Sequence, residues 1–135
     1  MSLGSWDPNT EQAKHDLQVD QDLLKRFIAI SLNDQLDQLD TQLSGTEQQA
    51  QASLMQLNKK NWGSIAKPFS DNDIEHLMRF FTVAEKLPGW EAGANSPVIW
   101  LGKVLKKRGT GINRELVLWI KANSDNQFLP HGPLL

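Results

Sequence analysis

Five cations crowd one part of the chain: Lys103, Lys106, Lys107, Arg108 and Arg114, with Lys121 further on. A short helix, a glycine-containing turn and a second helix over 97–121 form a helix-turn-helix-like pattern, a frame on which lysine and arginine meet phosphates. The second helix, however, commits Leu116, Val117, Leu118, Trp119 and Ile120 to burial, leaving few polar positions to read base edges. As a solvated face near a helix C-terminus, the same cations complement the helix dipole without any partner.

Other candidate chemistry is sparser. His15, His76 and His131 have no partner at metal-ligand spacing, and Asp71-Asn72-Asp73 lacks the glycine and closing glutamate of a calcium loop. With no cysteine there are no disulfides or thiolate sites, and no Gly-x-Ser-x-Gly motif or phosphate-cradling glycine loop occurs. The expectation is therefore no metal and no cofactor. Glu85 and Glu91 flank the turn Leu87-Pro88-Gly89-Trp90, and an enzyme would need a deep cleft gathering them with His76.

A third set of residues is apolar. Leu32, Leu36, Leu39 and Leu43 recur at heptad-like steps over about two heptads, a seam that either packs internally or pairs with a second copy. Trp90, in a loop, is either a plug for the core or a hot-spot anchor for a partner. Together these predict a noncatalytic protein–protein interaction module of adaptor or regulatory kind, binding another protein or itself as a homodimer through Leu32, Leu36, Leu39, Leu43 and Trp90. The alternative is a nucleic-acid-associated protein using Lys103, Lys106, Lys107, Arg108 and Arg114. An enzyme with a cleft at Glu85 and Glu91 ranks third.

The elements that must position these residues read as helices throughout. Asp7-Pro8 opens a helix whose first half is polar, and no proline or glycine interrupts Asn9 to Ser44, leaving either one long helix or a break near Ser31–Asp34. Thr46 and Gln49 form a capping pattern for a helix from Glu47 to about Asn61, and a short connection makes an antiparallel hairpin. Trp62 to Phe69 reads as a loop stopped by Pro68. Ser70 and Asp73 open a helix from Asp71 to about Lys86.

Ser96 as N-cap, Pro97 at the first helical position and Gly109 after Lys106, Lys107 and Arg108 mark both ends of a helix that we expect to organise the rest. A last helix runs from Asn113 to about Asn123. Residues Ser124–Leu135 contain Pro130, Gly132 and Pro133 and form an irregular tail, from which Phe128-Leu129 and Leu134-Leu135 either dock or present a short motif. The prediction is an all-α protein, a small helical bundle of five or six helices with an N-terminal helical hairpin. Residues 1–8 are a flexible N-terminus, 9–61 an acidic, Gln-rich hairpin and 62–135 a compact Trp-rich unit, one domain overall.

A chain of 135 residues with five Trp and five Phe is long enough to bury a core. The formal charge of −2 conceals an asymmetry: residues 1–58 hold nine acidic and three basic side chains, the remainder seven acidic and eleven basic. No basic-then-apolar leader opens the chain, and no apolar run approaches the roughly 18 residues of a membrane span, so a soluble cytoplasmic protein with no membrane association is expected.

Overall fold

The structure is a computed structural model and describes residues 20–126. The Asp7-Pro8 helix start, His15, His131 and the hydrophobic pairs of the tail lie outside the described residues. Within them the protein is all-helical, with seven α-helices, short 3-10 turns and no strand. None of these helices is long and apolar enough to cross a membrane.

Helix α1 (Gln21–Leu32) begins where the Asp20 carboxylate accepts from the Asp22 N–H, and it buries Leu24, Phe27, Ile28 and Ile30. The chain then breaks. Asp34 adopts a left-handed backbone conformation (φ 57°), which short polar side chains tolerate better than others. Of the two readings of the Asn9–Ser44 stretch, the break near Ser31–Asp34 is the one seen. Beyond it lie a 3-10 turn (Leu36–Gln38) and a one-turn helix α2 (Leu39–Gln42).

Ser44, rather than Thr46, caps α3 (Gly45–Gln51) in a reciprocal box with Glu47. Arg26 clamps that carboxylate with its two terminal guanidinium nitrogens, tying α1 to the start of α3. The helix expected from Glu47 to Asn61 is instead interrupted by a 3-10 turn (Ala52–Gln56) and extended backbone at Leu57. A new helix, α4 (Lys59–Ile65), starts at Asn58, so Trp62 is helical and not in a loop.

Helix α5 (Asp71–Ala84) contacts α1, α6 (Pro97–Lys107) and α7 (Arg114–Asn123). This corrects the expectation that the 96–109 helix is the organising element: α6 has the predicted ends, but α5 occupies the centre. It buries Ile74, Leu77, Met78, Phe80, Phe81 and Ala84, and the buried Thr82 hydroxyl donates to the Met78 carbonyl one turn back, at 2.7 Å. Phe80 stacks on Phe27 of α1 with ring centroids 4.0 Å apart, and Phe81 meets Trp62 of α4 edge-on at 5.3 Å. Both predicted parts of the chain, the Gln-rich segment and the Trp-rich unit, contribute to one cluster of buried side chains.

Candidate functional site

Helix α4 is short but firmly begun. The Asn58 side-chain oxygen accepts from the Asn61 N–H at 2.8 Å, while the Asn61 side-chain oxygen accepts from the Asn58 N–H at 3.0 Å. Its inner face buries Trp62 completely, which turns Lys59, Lys60, Gly63 and Ser64 toward the outside, followed by Lys67. The last turn is held by a residue from far along the chain. The Arg108 guanidinium donates to the Ala66 carbonyl (3.1 Å), to the Phe69 carbonyl (3.0 Å) and to Asp71 Oδ1 (2.8 Å). Three groups at the junction of α4 and α5 are thus satisfied by one side chain at the end of α6.

Helix α6 faces α4 with a different stripe from the one it buries. Val98, Leu101 and Leu105 go into the core, whereas Trp100, Lys103, Val104 and Lys107 follow the i, i+3, i+4, i+7 spacing of a second face. The Ser96 hydroxyl accepts from the Val98 N–H and Gly109 takes a left-handed conformation (φ 87°), so the stripe's register is fixed at both ends.

Between α4 and α6 lies a groove of about 640 Å³. Lys59, Lys60 and Lys67 line it from the α4 side, and Lys103, Lys107 and Arg108 from α6. Gly63, Ser64, Trp100 and Val104 also line it. A shallower hollow joins Lys106 to Lys59, Lys103 and Lys107. The Lys103 ammonium sits 5.5 Å from the centre of the Trp100 ring, a cation–π contact. Among the described residues Arg108 is paired with Asp71, and none of the six lysines is paired with a carboxylate. Six like charges on α4, the turn after it and α6 repel one another and make this face strongly positive.

The structure gathers Lys103, Lys106, Lys107 and Arg108 here but not Arg114, which is exposed on α7 and absent from the groove lining. Lys59, Lys60, Lys67 and Trp100 are the members that the sequence reading missed as site residues. Their signal was the matching i, i+3/i+4, i+7 spacing of Lys60, Gly63, Ser64 and Lys67, obscured by reading residues 62–69 as a loop.

The apolar candidates fall differently. Leu39 and Leu43 are buried, Leu36 is partly buried, and Leu32 is exposed at the end of α1. The break at Asp34 divides the seam, so these leucines form no continuous stripe on the described surface. Trp90 is fully buried, its indole N–H donating to the Gln48 carbonyl at 2.8 Å and its ring meeting Phe80 edge-on. It is the plug and not an exposed anchor.

The carboxylates expected to share a cleft do line one, a hollow of about 340 Å³ that also includes Asp125 and Asn126. His76 is not in it: its Nδ1 lies 2.8 Å from the Ser31 hydroxyl, at the α1–α5 contact. Glu85 accepts from the Ser96 hydroxyl at 2.9 Å and from the Asn126 amide at 3.0 Å, and burial pushes its carboxyl above the usual range. Its partners tie the start of α6 and the segment after α7 to the end of α5. Among the described residues no group of His, Asp or Glu could hold a metal ion. Comparison with protein-family models, curated proteins and solved structures finds no match for this chain.

Proposed function

We propose that this protein is a noncatalytic, cytoplasmic binding module, a small helical bundle that holds nucleic acid in the α4–α6 groove. The observation that carries the reading is the convergence on one face of six lysines from α4, the turn after it and α6, none paired with a carboxylate among the described residues, in a chain whose net charge is −2. Local fields dominate at this range, because charges more than about 10 Å away are largely screened at 0.1 M salt. Phosphates neutralised by lysine release condensed counterions, so such a groove binds a polynucleotide without base readout. That fits side chains that are flexible point charges rather than planar forks. The frame is α4 against α6 and not a helix-turn-helix, since α7 adds no residue to the groove. The adaptor reading has less support, because the leucines and Trp90 on which it rests are largely drawn into the core.

The test is fluorescence anisotropy with a labelled oligonucleotide across a salt series. The expected result is binding at low salt that weakens steeply as salt rises. On a single strand, each lysine removed from the groove should make the log–log salt slope shallower by about 0.7. Lys103→Glu combined with Lys107→Glu should weaken binding at least tenfold while leaving the helical circular-dichroism spectrum intact. Absence of binding at low salt, or binding indifferent to salt, overturns the proposal. Equally tight binding of polyglutamate overturns it in favour of an acidic polypeptide.

A further inference from the structure

We infer that the groove is built for an unpaired strand, with a base seated between Gly63 of α4 and Trp100 of α6 while phosphates meet the lysines. This inference rests on the nucleic-acid reading above and deepens it. Gly63 lies inside α4, where glycine is less favourable than alanine because it loses more conformational freedom on folding. Its φ is not positive, and among the described residues a Cβ built there meets no atom within 4 Å. What glycine does achieve is an open space along the groove, extended by the small side chain of Ser64.

Trp100 supplies the other wall. Its ring is partly buried and lines the same groove. A nucleobase suits that wall because it brings a flat π face for the indole. A duplex does not, because its bases are stacked inside and it offers a flat flank of phosphates to the lysines. The Lys103 ammonium lies over the Trp100 ring, and its flexible stem lets it pass to the backbone phosphate of a nucleotide whose base takes that face.

The experiment compares a labelled thymidine oligonucleotide with a duplex of equal length at one salt concentration, for the wild type, Gly63→Leu and Trp100→Phe. The wild type is expected to bind the single strand at least tenfold more tightly. Gly63→Leu fills the open space and should erase that preference, with circular dichroism confirming its fold. Trp100→Phe shrinks the stacking face from two fused rings to one, and should reduce the preference several-fold. Equal affinity of the wild type for both forms, unmoved by either variant, overturns the base-seating inference and leaves the phosphate-binding reading standing. Failure to bind either form at low salt overturns that reading itself.

Discussion

The guanidinium of Arg108 is occupied by the Ala66 and Phe69 carbonyls and by Asp71, while the neighbouring Lys107 has no carboxylate partner among the described residues. Two adjacent cations therefore have different uses, and the difference follows from geometry: a planar fork spans several acceptors where an ammonium does not. Asp71 is held below the usual carboxylate range by hydrogen bonds from Thr110 and Arg108. Glu85 is shifted the other way, raised by burial despite the bonds from Ser96 and Asn126. The folded protein thus favours the protonated Glu85, so this residue's contribution to stability is full below its unfolded value of 4.5 and is lost as pH rises through the higher folded value. Glu85→Gln removes that titration. Thermal melts should show the variant gaining on the wild type as pH rises above about 4.5, and a constant difference across pH would show that the carboxyl is not shifted.

At the scale of elements, the ends of α6 were legible because its signals are local: Ser96, Pro97 and Gly109 each do the task that their chemistry suits. The start of α4 was missed for an equally physical reason. Its capping box uses Asn58 and Asn61 in place of the usual hydroxyl and Glu or Gln pair, and Gly63 and Pro68 make the following stretch look like a loop. The break after α1 was legible only as one of two options, since Asn33 and Asp34 are compatible with either helix or turn. Because α4 is only seven residues long, its cap is a large share of what holds it. Asn58→Ala is expected to cost about 0.5–2 kcal/mol in denaturant unfolding. It should also weaken oligonucleotide binding, because it loosens the helix that carries Lys59 and Lys60 and leads to Lys67. Unaltered affinity with reduced stability would mean that the α4 lysines are not part of the binding face.

Over the whole molecule, the uneven charge and the all-helical class were evident from composition and periodicity, whereas the groove was not. Lys59, Lys60 and Lys67 lie about forty residues from Lys103 and Lys107 in the chain, and their meeting depends on α4 packing beside α6. No local pattern encodes that contact; it follows from Trp62 seeking Phe81 on one side and from Arg108 reaching the end of α4 on the other. The same logic explains the fate of Trp90 and of Leu39 and Leu43. A core assembled around α5 needs large apolar side chains from every segment, and these were drawn into it.

Binding of nucleic acid on the α4–α6 face, as proposed, is tested most directly by an ¹H–¹⁵N correlation spectrum of the labelled protein titrated with a thymidine oligonucleotide. Shifts are expected to concentrate in the amides of 59–67 and 100–108, with the indole N–H signal of Trp100 among the largest. Shifts concentrated instead around Leu32 and Leu36, or around Arg114 and Lys121, with the α4 and Trp100 signals unmoved, would contradict binding at this face.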